Sequence, residues 1–101
     1  MTTKDFLARL AAMIGEHMAI MREAQAVVAT LKRRHQNIWE ASDMIPRGNS
    51  EVRMLRQAIS SYERCNPSDE CTSNMLEALA HFEERLRGRY RQLEYVKCLV
   101  L

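Results

Sequence analysis

This sequence contains few of the residue types that interrupt α-helices or favour other secondary structure. It has three Gly and two Pro, and aromatic residues make up 6% of it. No alternating run of β-branched residues is bounded by turn residues, so the usual pattern of a β-sheet is missing. Good helix formers such as Leu, Ala, Glu, Arg and seven Met are abundant instead. The composition therefore predicts an all-α fold, and 101 residues suffice for one domain with a modest core.

The sequence also lacks a long apolar run and a large excess of one charge. No run approaches the roughly 20 apolar residues that span a membrane. Lys4, Asp5 and Arg9 interrupt the segment in which a secretory signal would have its apolar core. A net charge of +2 is too small to indicate nucleic acid, and an odd number of cysteines favours free thiols in a reducing compartment. These features predict a cytoplasmic protein.

The clearest positive feature is an apolar stripe that runs from Leu7 to Ile45. Its positions alternate three and four residues apart, a spacing of about 3.5 residues that keeps one side of a helix against a partner helix. His17 and His35 fall on the stripe, where a titrating ring could act as a pH switch, set the register, or lie at a half-exposed end. Because the spacing is unbroken through Ile38, the sequence predicts one long first helix.

Two segments that carry proline divide the remaining pattern. The first, residues 45–50, contains Pro46 and Gly48 and is a strong helix breaker. In the second, Asn66 is placed to cap a helix with Pro67 in its first turn. The predicted architecture is a single helical domain, residues 1–101, with helices at about 3–44, 50–64 and 67–100.

A second layout is compatible with the same residues. The basic cluster at residues 32–35 suits the C-terminus of a helix, and Gln36 and Asn37 could break the chain directly after it. Four shorter helices would then close on themselves as a monomer. The long-helix layout is favoured because the apolar spacing does not change at this point.

Unequal helix lengths in the favoured layout predict association. At 1.5 Å per residue the helices would measure roughly 63, 22 and 51 Å, so the middle helix leaves parts of the others uncovered. The sequence thus predicts a three-helix, coiled-coil-like bundle with a short middle helix, whose exposed apolar faces are completed by another helical protein or a second copy. The predicted partner interface consists of Phe6, Leu10, Met13, Ile14, Ile20, Met21, Val27, Leu86, Leu93 and Val96.

Two further motifs predict other partners. Arg85, Arg87, Arg89 and Arg91 form a basic patch, in which like charges one turn apart need acidic neighbours or an RNA backbone to offset them. Since arginines at every second position point around the helix, nucleic acid is not favoured. The last four residues fit the pattern for prenylation of Cys98, which would anchor the chain to a membrane together with upstream basic residues.

Recognisable catalytic motifs are missing. The sequence has no nucleophile elbow, no glycine-rich phosphate loop and no His-Glu-x-x-His pattern. His81 shares a helix face with Glu77 and Glu84 at a spacing that a metal would accept, but a metal needs a further ligand set, and a solvated face accounts for these residues. The sequence therefore predicts a non-catalytic interaction or assembly subunit with no cofactor and no metal.

Overall fold

Three α-helices packed against one another form the regular structure. A computed structural model of the chain describes residues 1–64 and 70–101. Within these ranges the extended pairing is a single antiparallel bridge between Thr2 and Glu70, so the all-α, three-helix fold is confirmed. The helices are α1 (Thr3–Arg33), α2 (Trp39–Arg64) and α3 (Ser73–Cys98).

α1 and α3 run in the same direction, and α2 runs back against them. The bridge between Thr2 and Glu70 joins the segments that precede α1 and α3. At the opposite end, Arg34 Nη1 donates a hydrogen bond of 3.1 Å to the carbonyl of Val100. Both ends of α1 therefore lie beside the corresponding ends of α3.

Side-chain pairs follow the contact between α1 and α3 at a regular interval. Arg9 Nε contacts Glu83 Oε1 at 2.6 Å, and one heptad later the hydroxyl of Tyr90 donates to Glu16 Oε1 at 2.8 Å. A further heptad along, Lys97 Nζ lies 3.5 Å from Glu23 Oε1. The two helices thus keep one register over two heptads, and polar groups hold that register along the edge of the core.

α1 ends because the chain turns into a left-handed conformation at His35, whose φ is 55°. The backbone N–H of Gln36 donates to the carbonyl of Leu31 at 2.9 Å, and that of His35 donates to the carbonyl of Lys32 at 3.1 Å. These are the two hydrogen bonds of a Schellman cap, which normally has glycine at the left-handed position. The predicted continuous helix from residue 3 to 44 is therefore wrong. The break falls at the basic cluster, as in the alternative layout.

α2 begins at Trp39, whose N–H donates to Asn37 Oδ1 at 2.9 Å, and then continues through Pro46. The predicted break at residues 45–50 is wrong, and so is the four-helix layout that needs it. An interior proline removes one backbone hydrogen bond and crowds the preceding turn. The helix nevertheless continues, and its buried side chains lie both before and after Pro46. The buried apolar positions of α2, spaced by three or four residues, are Ala41, Met44, Gly48, Val52 and Leu55.

α3 is also shorter than predicted. It begins at Ser73, because the side chain of Thr72 accepts the backbone N–H of Met75 at 3.2 Å and caps the helix. The predicted cap at Asn66 and Pro67 lies outside the described residues. The helix ends at Cys98, two residues earlier than the spacing predicts.

The three helices contain 31, 26 and 26 residues, so α2 is not a short middle helix. At 1.5 Å per residue the helices measure about 46, 39 and 39 Å, and the bundle is 54 Å long. Helices of similar length cover one another along most of their length. The apolar overhangs that the sequence predicts are therefore replaced by one continuous core.

Candidate functional site

The predicted partner interface lies inside the chain's own core. Eight of its ten side chains are at most 5% exposed, and Ile14 and Met21 are partly buried. α2 folds back along α1 because α1 stops at Arg33, and it covers this face together with α3. The face is therefore buried within the chain, where the sequence predicts it to be exposed. The eight residues are Phe6, Leu10, Met13, Ile20, Val27, Leu86, Leu93 and Val96.

Carboxylates offset three of the four arginines in the predicted basic patch. Arg85 donates two hydrogen bonds to Glu51 of α2, with N···O distances of 2.7 and 2.6 Å. Arg87 and Arg91 both donate to Glu84 on their own helix, at 2.9 and 3.2 Å. The four arginines therefore do not form one continuous cationic surface, because two point to solvent and Arg85 turns toward α2.

Arg89, the fourth arginine, lines a cleft between α2 and α3. Its Nη1 donates to Gln92 Oε1 at 2.8 Å, while its Nε is buried without a hydrogen-bond partner among the described residues. No carboxylate in residues 1–64 or 70–101 lies within ion-pair distance of it. The cleft has a volume of about 320 Å³ and is lined by Arg47, Ser50, Glu51, Arg85, Gly88 and Arg89.

A buried carboxylate forms one wall of this cleft. Glu51 is 5% exposed, although it sits between apolar positions of α2. Burial raises the pKa of Glu51, but the hydrogen bonds and the positive charge of Arg85 outweigh burial and hold the pKa below its usual value. The hydrogen bonds and the negative charge of Glu51 in turn raise the pKa of Arg85. Glu51 is therefore a carboxylate near neutral pH, and it fixes the guanidinium of Arg85 at the cleft.

His17 of α1 is buried in the core near the same charges. Its side chain is 1% exposed, and its Nδ1 has no hydrogen-bond partner among the described residues. Burial lowers the pKa of His17; Arg89 and Arg85 act in the same direction, whereas Glu51 acts in the opposite one. His17 is thus neutral at pH 7 and does not lie at a half-exposed end of the stripe. His35 is exposed and adopts the left-handed conformation that follows the C-cap of α1.

Exposed aromatic side chains lie at the end of the bundle where α2 begins and α3 ends. Trp39 is 67% exposed and Tyr95 is 55% exposed, and Leu99 next to the end of α3 is 37% exposed. The side chain of Glu40, the neighbour of Trp39, raises the pKa of Tyr95. Glu40 of α2 therefore lies near Tyr95 of α3 at this corner. Trp39, Tyr95 and Leu99 are referred to below as the aromatic corner.

Cationic side chains lie at the same end of the bundle. Lys32, Arg33 and Arg34 are exposed in the last turn of α1 and its cap. Arg33 donates to the hydroxyl of Thr30, and Arg34 donates to the carbonyl of Val100. Neither arginine forms an ion pair with a carboxylate in the described part of the chain. This end of the molecule therefore combines exposed aromatic surface with three exposed cationic side chains.

Two other positions singled out from the sequence are on the surface. Cys98 is an exposed free thiol at the last residue of α3. The residues after it remain hydrogen-bonded to the helix, since the N–H of Leu99 donates to Val96 and that of Val100 donates to Lys97. His81 is exposed, and no group of three His, Cys, Asp or Glu side chains in the described residues could hold a metal ion.

Comparison with known proteins assigns no family to this chain. No family model matches it, and neither a curated protein nor a solved structure is significantly similar to it. Of the helices that the structure describes, none is sufficiently long and apolar to cross a membrane.

The cleft was missed at the level of sequence because its residues come from distant positions. Glu51 and Arg85 are 34 residues apart, and no local spacing connects them. A weaker feature was available: each helix carries a polar residue on or beside its buried stripe, at His17, Glu51 and Arg89. Since buried polar groups require partners, polar residues on three apolar stripes indicate that the stripes meet at a shared polar cluster.

Proposed function

We propose that this chain is a non-catalytic helical interaction protein, an assembly subunit whose prefolded bundle docks onto a protein partner through the aromatic corner. The observation that carries the proposal is the exposure of Trp39 and Tyr95, at 67% and 55%, at the same end of the bundle. Trp and Tyr are the residue types that most often dominate protein–protein binding energy, because each buries a large apolar area and still offers a polar group.

The partner follows from the charges around the corner. Positive charge at the end of α1 comes from Lys32, Arg33 and Arg34, none of which is paired with a carboxylate of residues 1–64 or 70–101. A partner surface with an apolar pocket and a rim of Asp and Glu would match both the apolar side chains and this basic rim. Such complementary charge mainly accelerates association and selects the partner. A second copy of the chain is the alternative occupant that the experiment below distinguishes.

The bundle supplies a rigid base for this corner. We propose that α1 and α3 pack in a coiled-coil-like manner, supported by the heptad interval between the Arg9–Glu83, Glu16–Tyr90 and Glu23–Lys97 pairs. Because these pairs fix the position of α3 along α1, Tyr95 and Leu99 are presented in a defined arrangement. A preorganised docking surface loses less conformational entropy on binding.

Site-specific photo-crosslinking tests the proposal. A benzophenone amino acid replaces Trp39 in one variant and Leu76 in a matched control, since Leu76 is 48% exposed in the first turns of α3 at the opposite end of the bundle. Both variants are irradiated in cells that produce the protein, and adducts are identified by mass spectrometry. The expected result is one dominant protein adduct from position 39 and none from position 76.

Surface variants make the test specific. Tyr95→Ser and Leu99→Ser, introduced together with the photo-crosslinker at position 39, should reduce the adduct at least about tenfold, because truncation of a hot-spot tyrosine costs about 2 kcal/mol or more of binding free energy. An adduct with the chain itself would assign the corner to a homo-oligomer, which light scattering would verify. Equal adducts from both positions, or no adduct from either, would contradict the proposal.

A further inference from the structure

We propose that the cleft between α2 and α3 is a binding site for a small phosphate-bearing anion, either inorganic phosphate or a small phosphomonoester. The site is independent of the aromatic corner. It uses side chains of both helices, with Arg47 and Ser50 from α2 and with Arg85 and Arg89 from α3.

The charges at the cleft do not balance within the chain. Three guanidinium groups, those of Arg47, Arg85 and Arg89, line it. Two carboxylates are paired with them, because Asp43 bonds Arg47 and Glu51 bonds Arg85. Among the described residues Arg89 has no ion-pair partner of its own, and Glu51, which is already paired with Arg85, interacts with it only beyond ion-pair distance. An anion in the cleft would complete the set, whereas a metal cation would be repelled by three arginines.

The cleft is a built site and not a chance gathering of surface arginines. Glu51, which is 5% exposed, holds Arg85 through two hydrogen bonds, so the guanidinium does not have to be ordered when a ligand arrives. Arg89 is only partly exposed, and its Nε lacks an acceptor in the described residues. Because this Nε is itself buried, a ligand in the cleft would meet other atoms of the Arg89 side chain.

The chemistry of the lining selects an oxyanion. Guanidinium groups present pairs of N–H donors that match the oxygens of phosphate and carboxylate. The hydroxyl of Ser50 adds a further donor, and Gly88 contributes no side chain to the lining. The volume of about 320 Å³ is at the lower end of the range for small-molecule sites. Several donors around one small cavity favour the three or four oxygens of a phosphate over the two of a carboxylate.

Nuclear magnetic resonance titration with inorganic phosphate tests the inference on the full chain. The ¹⁵N-resolved Nε–Hε signals of the arginines are followed during additions of phosphate, with sodium chloride at matched ionic strength as the reference. Parallel titrations use glycerol phosphate and acetate. We expect saturable shifts of the Arg85 and Arg89 signals with phosphate, with glycerol phosphate or with both, and the comparison between the two identifies the source of the phosphate group. Acetate should bind at least about tenfold more weakly.

Matched variants separate a site from general screening of charge. Arg89→Gln should weaken phosphate binding by about tenfold or more, the effect of losing a charge-assisted hydrogen bond. Arg91→Gln, on the same helix but paired with Glu84 at the surface, should leave binding unchanged within about twofold. Arg47→Gln provides a second test on α2, at a side chain that is 56% exposed and therefore tolerates substitution without unfolding.

Three results would overturn the inference. They are shifts that chloride reproduces at the same ionic strength, equal loss of binding in Arg89→Gln and Arg91→Gln, and no saturable response to either phosphate compound. A thermal unfolding curve of each variant, compared with that of the unmodified chain, shows whether the variant remains folded. Should Arg89→Gln unfold, the Arg47→Gln and Arg91→Gln pair decides the outcome.

Discussion

At the scale of single residues, two histidines with the same place in the sequence pattern have opposite environments. His17 and His35 both fall on the stripe of three- and four-residue steps. His17 is buried with an unpartnered Nδ1, whereas His35 is exposed and adopts the left-handed conformation that ends α1. Spacing alone does not separate them, since one is surrounded by the core and the other by solvent.

Burial of His17 predicts how stability depends on pH. An unfolded histidine has a pKa of about 6.5, and burial lowers the pKa of His17 in the folded chain. As the pH falls below about 6.5, the unfolded state therefore binds a proton that the folded state does not. The free energy of unfolding should decrease from pH 7.5 to pH 5.5, with a slope of up to about 1.4 kcal/mol per pH unit. Urea denaturation at a series of pH values measures it.

Variants assign this slope to one side chain. His17→Leu should remove most of the slope between pH 5.5 and 7.5, while His81→Gln, at an exposed histidine, should retain it. Glu51 and Glu83 do not confuse the comparison. Because their pKa values lie below the usual value of 4.5, their contributions are lost as the pH falls below that value. A slope that persists in His17→Leu would show that another group is responsible.

The cap at His35 predicts a stabilising substitution. A left-handed conformation costs a residue with a side chain roughly 1–2 kcal/mol relative to glycine, and His35 has a φ of 55°. His35→Gly should therefore raise the free energy of unfolding by about 0.5–1 kcal/mol, after the added entropy of glycine in the unfolded chain is subtracted. Thermal and urea unfolding measure the change. Gln36→Gly, one residue further, is the control, and an equal gain there would contradict the assignment.

At the scale of the helices, close packing accounts for a glycine in the interior of α2. Pro46 and Gly48 have low helix propensity, yet both lie inside α2. Gly48 is buried against α1, and a Cβ built on it would lie 2.5 Å from Cγ of Met21. The glycine therefore permits close approach of the two helices at this point. Its role is to make room for Met21, not to break a helix.

The contact between Gly48 and Met21 predicts a coupled pair of substitutions. Gly48→Ala should lower the free energy of unfolding by about 1 kcal/mol, because overpacking costs about 1–3 kcal/mol and improved helix propensity returns up to about 1 kcal/mol. In a Met21→Ala background the same substitution should become neutral or stabilising. Gly15→Ala, where a Cβ meets nothing within 4 Å, should stabilise by about 0.5–1 kcal/mol. A double-mutant cycle that shows no coupling would contradict this packing.

At the scale of the whole molecule, the chain's own helices cover the predicted partner interface. Ile20, at the centre of that face, is 3% exposed. The core continues from Phe6 near the start of α1 to Val96 near the end of α3. Association is therefore not needed to bury this surface, and the proposed interactions use the aromatic corner and the cleft instead.

Substitution of Ile20 separates a core position from an interface position. Ile20→Asp should lower the free energy of unfolding by about 4 kcal/mol or more, since it places an unpaired charge in the core. The helical circular dichroism should weaken and cooperative unfolding should be lost. Met18→Asp, at a side chain that is 40% exposed on the same helix, should stay folded. If the Ile20→Asp variant is folded and light scattering gives it a lower mass than the unmodified chain, Ile20 lies at an interface between chains.

The features of this protein that can be predicted from the sequence are local. Helix-forming composition, the spacing of apolar residues along α1 and α3, and the identity of the buried positions follow from propensity and period, and Phe6, Leu10 and Val96 are buried as an apolar stripe requires. The turn at His35 and the continuation of α2 through Pro46 depend on how the helices pack together. The free energy of packing outweighs the cost of one unfavourable residue at a helix end, or of one lost hydrogen bond inside a helix. Only the folded chain brings Glu51 to Arg85, because their attraction depends on distance in space and not along the sequence.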